Sequence, residues 1–158
     1  PSRASYGLKL KDNDRSCVLR INAPGGTVLL PGDIERRGEE ALLAEGGALR
    51  ADVLVAPHQG SRSSSAPAFV DAVRPGTVVF PVGYRNRFGH PHPEVVERYR
   101  QAGAALYRTD RDGAVMISLA PERGLTIERY RSLHRRYWLD RPVRDDRILE
   151  AELDRTAR

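Results

Sequence analysis

The sequence predicts an α/β domain built on one mixed β-sheet, with helices packed against one face. Three observations predict it. From residue 51 onward, short apolar runs rich in β-branched residues alternate with helix-period segments, the pattern of strand–helix–strand units. The run Thr77-Val78-Val79-Phe80-Pro81-Val82 is apolar on both faces, as a strand inside a sheet requires. Two turn clusters, Asp12-Asn13-Asp14 and Pro24-Gly25-Gly26, flank strand-like runs in the first third. Such clusters are hairpin signals and add antiparallel pairing.

Taken in order, residues 6–11 alternate as a strand, 15–22 form the next, and 27–30 a third. Cys17 lies inside the second, so a buried structural thiol is expected there. Residues 35–45 group Ala41, Leu42 and Leu43 on a helix that Gly46-Gly47 stops. A strand over 51–56, a short helix over 67–73 carrying Phe69, Val70 and Val73, and the buried strand at 77–82 follow. Pro93 opens the clearest helix, with Glu94 and Glu97 early, Val95, Val96 and Tyr99 on its inner face and Gly103 at its end. Strands at 105–108, 113–119 and 125–129 complete the domain, with 109–113 read as a hairpin turn on Gly113. There is no internal repeat.

At 158 residues the chain is large enough for one sizeable core. Its balance of 40% apolar and 30% charged residues is that of a globular protein, which excludes a disordered one. No apolar run reaches the roughly 20 residues of a membrane span. A chain opening Pro1-Ser2-Arg3 without methionine or a signal segment is expected to be an excised piece of a larger protein. One cysteine excludes an internal disulfide. The net charge of +5 rests almost entirely on arginine, with Lys9 and Lys11 the only lysines. That balance suits a polyanion, and a GC-rich genome explains the arginine bias equally well. The chain divides into a domain at 1–127 and a basic, aromatic, charged tail at 128–158. The tail's arginines among Tyr130, Tyr137 and Trp138 fit either a single strand of nucleic acid or a packing tail with solvated charges.

Candidate chemistry gathers in three loops, each following an apolar run. The first is Leu29-Leu30-Pro31-Gly32-Asp33-Ile34-Glu35, which delivers Asp33 at a sharp turn. The second is Pro57-His58-Gln59-Gly60-Ser61-Arg62-Ser63-Ser64-Ser65, where Pro57 sets the strand exit and Gly60 leaves room beside the imidazole. A carboxylate and a histidine suit zinc or manganese, although a catalytic zinc needs three protein ligands and an open position. Arg62 and the serines offer donors to a phosphodiester oxygen; a Ser-rich loop capping the helix at Pro67 is the structural alternative. The third loop holds Asn86, Arg87, His90 and His92. His92 has a structural use as the cap of the helix that Pro93 begins. His90, between glycine and proline, is favoured as a substrate contact or general acid.

These motifs in this order, with Tyr107-Arg108-Thr109-Asp110-Arg111-Asp112-Gly113-Ala114 after them, resemble the C-terminal metallo-β-lactamase-like domain of the ComEC family. ComEC proteins are bacterial channels that import DNA during natural transformation. The resemblance covers about residues 5–120 and implies the C-terminal half of an αββα sandwich. It further implies a metal-dependent extracytoplasmic nuclease, carried by an inner-membrane protein, that degrades the non-imported strand. On this resemblance Asp33 corresponds to a metal-bridging aspartate and His58 to one member of a His-His pair. Asn86, His90 and His92 correspond to a substrate-side segment. The implied assignment places metal on Asp33 and His58, catalysis on His90 and His92, and substrate on Gln59, Ser61, Arg62, Ser63, Asn86 and Arg87.

Two departures qualify the resemblance. The fold's main metal motif, His-x-(His/Asp)-x-Asp-His, is absent, the only histidines being His58, His90, His92 and His134. Gln59 stands where the second histidine of the pair is usual. The resemblance therefore implies zinc or manganese in the intact domain and none held by this chain alone. It implies DNA as partner, as a single strand or duplex end, along with the missing N-terminal half and the membrane channel. A homodimer through the uncovered sheet face is a further expectation. The chain alone is expected to be nearly inert. The alternative is a non-catalytic DNA-guiding module with a degenerate metal site; a third reading is hydrolysis of another phosphoester.

Overall fold

The computed structural model describes residues 11–134. The strand expected at 6–11 falls almost wholly outside the described residues, as do Tyr137, Trp138 and the rest of the tail from residue 135. After a 3-10 turn at Asn13–Arg15 the elements run β1 (Leu19–Ala23), β2 (Gly26–Leu30), α1 (Arg36–Ala44) and β3 (Val53–Val55). A second 3-10 turn, Pro57–Gly60, precedes α2 (Pro67–Val73), β4 (Thr77–Phe80), α3 (Pro93–Gln101) and β5 (Ala105–Arg108). Then come α4 (Thr109–Asp112), β6 (Val115–Ala120), β7 (Gly124–Arg129) and α5 (Tyr130–Leu133). The fold is α/β with mixed strand directions, broadly compatible with an αββα sandwich.

Five strands form one sheet in the order β1-β2-β3-β4-β5. β1 and β2 are an antiparallel hairpin, while β2, β3, β4 and β5 run parallel. Because the parallel strands are added one after another in one direction, every right-handed crossover falls on the same face. Helices α1, α2 and α3 accordingly share one core. The register Leu29↔Leu54↔Val78↔Leu106 supplies its floor. Phe69, Val70 and Val73 of α2 and Val95 and Tyr99 of α3 close it. Each fully buried aliphatic or aromatic side chain contributes about 1.5–3 kcal/mol of transfer free energy.

The helix ends follow local chemistry. Pro67 and Pro93 occupy the first turns of α2 and α3, where a missing N–H costs nothing. The start of α1 is capped from a distance, since buried Asp14 accepts from Glu35 N at 2.8 Å and Gly38 N at 2.9 Å. After α1, Gly46 takes φ +67°, the left-handed stop that glycine favours.

The opposite face of the sheet corrects one expectation. Residues 113–129 do not extend the main sheet; β6 and β7 pair only with each other. They lie over the face away from the helices, where Val115, Ile117, Leu119 and Leu125 pack on Val28, Val53 and Val79. The sheet is thus covered on both faces. What stays open is a strip at the β1 edge, with Leu19 55% and Ile21 41% exposed. Their partners Leu30 and Val28 place this strip on the hairpin side.

Three smaller corrections follow. Residues 109–113 are a helical turn between strands of different sheets, so no hairpin joins β5 to β6. Arg108 forks onto Asp110 at 3.0 and 2.7 Å, and its N–H donates to Asp112. The second strand starts at Leu19, four residues later than the expected 15, because the 3-10 turn takes up Asn13–Arg15. Cys17 therefore precedes the strand and is exposed, not buried. Among the described residues, no helix is long and apolar enough to cross a membrane.

Candidate functional site

Parallel strands put all their carboxyl ends on one edge, and ligands in open α/β sheets bind outside that edge. The three loops singled out above follow β2, β3 and β4 and meet there. Backbone hydrogen bonds join them: His58 N donates to Gly32 O at 3.0 Å, Arg36 N to Ser63 O at 3.0 Å, and His92 N to Gly60 O at 2.8 Å. Thr109 Oγ1, at the end of β5, donates to Val82 O at 2.7 Å. The rim is one fastened unit.

Asp33 is exposed, in a turn that Gly32 makes possible at φ +63°. A Cβ at Gly32 would stand 2.9 Å from Ser16 Cβ, so this turn is pressed against the segment before β1. His58 and Gln59 both adopt left-handed backbone, φ 46° and 55°. For non-glycine residues this costs about 1–2 kcal/mol each, a strain typical of functional loops.

The His58 ring is 24% exposed, and its Nδ1 is buried with no hydrogen-bond partner. Glu35 Oε1 lies 3.5 Å from it. Glu35 is a site residue that the sequence reading passed over. It also receives Asn13 Nδ2 at 3.2 Å and Lys11 Nζ at 3.3 Å. Burial pushes its carboxyl upward, but hydrogen bonds from Asn13, Lys11 and Ser63 and the Lys11 charge outweigh that and hold it below the usual range. A signal was available: Ile34, 1% exposed, points inward, which turns its acidic neighbours Asp33 and Glu35 outward.

In the serine run, Ser61 and Ser63 bond to each other at 3.1 Å, and Ser64 Oγ donates to Pro57 O at 2.8 Å. Ser65 is buried beneath Tyr99, whose hydroxyl donates to it at 2.9 Å. The outward group is Arg62. Its Nη2 and Nε lie 2.7 and 3.1 Å from His92 Nε2. His92 Nδ1 also lies 3.4 Å from Glu94 N, in the capping position. A neutral imidazole has one acceptor nitrogen, so both contacts cannot be hydrogen bonds. The shorter Arg62 contact takes the lone pair, leaving Nδ1–H toward the Glu94 carboxylate at 4.0 Å.

Asn86 spends its amide on the loop itself: Nδ2 donates to His90 O at 2.7 Å and Oδ1 accepts from His90 N at 2.9 Å. Arg87 is exposed, with its guanidinium 5.1 Å from the Phe88 ring centroid. His90 sits edge-on to His58 at 5.8 Å between centroids. Burial, then the His58 and His92 charges, lowers its pKa below the ordinary histidine value.

The structure brings His58, Glu35, His90, Arg62 and His92 together on the rim, with Asp33 on the adjoining turn. It does not assemble a metal centre from them. Among the described residues, no three His, Cys, Asp or Glu side chains are placed to hold one ion. Asp33 and His58 are two donors where a catalytic zinc takes three. The chain's own donor set does not fit a complete metal site.

No family model matches the chain. Its similarity to individual proteins is nonetheless clear. Competence protein ComA of Neisseria gonorrhoeae is 40% identical over 141 residues, covering 89% of this chain and 20% of that protein. ComE operon protein 3 of Bacillus subtilis is 32% identical over 103 residues, covering 65% and 13%. Recombination protein 2 of Haemophilus influenzae is 31% identical over 121 residues, covering 77% and 15%. The chain is thus similar, at the level of a family, to bacterial competence proteins. It spans a fifth or less of the length of these curated relatives.

Proposed function

We propose that this chain is the phosphodiester-facing rim of a DNA-uptake protein's extracytoplasmic nuclease domain, acting on the strand that is not imported. The observation that carries this reading is the convergence of the three loops on the carboxyl edge of the parallel strands. Arg62 and Arg87 stand outermost and His58, Glu35 and His90 behind them. Arg62, now held on His92, would turn its exposed guanidinium to a phosphate, for which its fork is better suited than an ammonium. His58 and Asp33 supply part of a metal site, and the remaining ligands come from outside this chain. In isolation the chain binds DNA and does not cut it. Similarity to competence proteins makes DNA the polyanion of choice, and the net charge of +5 agrees in sign.

A second reading is favoured by a specific observation. Gln59 offers an amide beside His58, and the described donors stop at two, as in a module that guides a strand without hydrolysing it. The deciding experiment uses the longer protein, extended upstream of this chain, with bound metal counted and nuclease activity followed. Manganese- or zinc-dependent cleavage lost on Asp33→Ala supports the nuclease. Salt-sensitive DNA binding without cleavage supports the guide.

A further inference from the structure

The loop between β4 and α3 carries two large aromatic rings that the fold does not use. Tyr84 is 70% exposed and Phe88 67%, although a residue of that size ordinarily buries most of its area. Each ring is held by its neighbour's guanidinium. Arg85 Cζ lies 5.2 Å from the Tyr84 centroid and Arg87 Cζ 5.1 Å from that of Phe88, both within the range of a cation–π contact. Phe88 further stacks on His90 at 6.0 Å, with planes 19° apart. The loop is pre-set by the Asn86 bonds to His90, by Asn86 N donating to Gly83 O at 3.2 Å, and by Arg85 at φ 53°. Residues 81–93 include Arg85, Arg87, His90 and His92 and no carboxylate.

We propose that Tyr84 and Phe88 form a base-stacking platform for single-stranded DNA, which delivers the strand to the rim at His58 and His90. The proposal rests on the DNA reading above and narrows it to unpaired strands. Exposed rings beside guanidinium groups engage base faces, and base faces are hidden inside a duplex. Arg85 and Arg87 serve twice, fixing the rings and neutralising the flanking phosphates. Base–aromatic stacking is worth about 1–3 kcal/mol per base, so loss of either ring should weaken binding by roughly 5-fold or more. That loss depends on bases. Loss of an arginine weakens binding to any strand.

The test uses the full chain and fluorescence anisotropy with three labelled probes of equal length: an oligothymidylate, an abasic strand and a duplex. Tyr84→Ala and Phe88→Ala should each weaken oligothymidylate binding by about 5-fold or more, leaving the abasic strand and duplex unchanged. Phe88→Trp should retain wild-type affinity, which separates a stacking role from a fold defect. Wild-type affinity in both alanine variants overturns the platform while leaving DNA binding intact. An equal loss on the abasic strand overturns it as well. Failure of the wild-type chain to bind any probe overturns both this proposal and the DNA reading beneath it.

Discussion

Glu39 is the buried charge on which the placement of the serine loop depends. It is 0% exposed and accepts from Ser65 N at 2.5 Å and Ala66 N at 2.8 Å. Arg98 donates to Ser65 O and Tyr99 to Ser65 Oγ, so α1 and α3 grip the same turn, which Ser65 makes at φ 60°. In Glu39→Ala two interior N–H groups lose their acceptor, each costing about 1–3 kcal/mol. Part of this is returned, because the variant no longer buries a carboxylate, and we expect a net loss of about 2–4 kcal/mol. Urea unfolding at pH 7 reads it as a lowered midpoint at unchanged slope. Glu40→Ala, an exposed neighbour on the same helix, should stay within about 0.5 kcal/mol of wild type. A Glu39→Ala loss no larger than that of Glu40→Ala would refute the reasoning.

The same residue gives the pH dependence its sign. Burial raises the Glu39 pKa, against the opposing hydrogen bonds from Ala66 and Ser65 and the charges of Arg98 and Arg36. A carboxyl whose folded pKa exceeds its unfolded value of about 4.3 stabilises most below that value. The contribution is then lost as pH rises through the folded pKa. The stability of wild type relative to Glu39→Gln should therefore fall as pH rises across that window. A difference that grows with pH would mean that the two backbone donors outweigh burial.

Three further substitutions probe the rim. Gly60→Ala should cost about 2–4 kcal/mol in urea unfolding, because Gly60 sits at φ +80° and its Cβ would stand 2.8 Å from both Phe80 Cδ1 and Pro91 Cβ. Glu35→Ala should change the nitrogen NMR signal of His58 Nδ1, which lies 3.5 Å from the Glu35 carboxylate; an unchanged signal in a folded variant would remove Glu35 as its orienting group. Gln59→Gly should stabilise the chain by about 0.5–1 kcal/mol by relieving left-handed strain, and a clear destabilisation would show that the Gln59 side chain outweighs that strain.

Much of the helical face was legible because its signals are local. Pro67 and Phe69-Val70 delimit α2 as 67–73, and the run at 105–108 is β5 residue for residue. The covering hairpin was not legible. Alternation of Val115, Ile117 and Leu119 shows that one side is buried, but not against which strand, and the same pattern serves an added strand or a second layer. The site divides in the same way. Loops after apolar runs marked the rim, since strand ends converge in any parallel sheet. The roles within it turned on partners far away in the chain. His92 is occupied by Arg62, 30 residues away, and Glu35 is drawn to His58 and Lys11 across more than 20 residues. No local pattern records such pairings.

Fold and function are separable here for a structural reason. The three loops are joined by backbone hydrogen bonds, and beneath them Phe80, Val82, Val95 and Tyr99 belong to a closed core. The outermost side chains Arg62, Tyr84, Arg87 and Phe88 contribute little to that core, so their removal should leave the rim in place. The strain at His58 and Gln59 is borne by neighbours on both sides, through Gly32 and His92. A rim built in this way holds its shape independently of its outermost side chains. The DNA binding proposed for those outer residues can therefore be tested by substitution without disturbing the core beneath them.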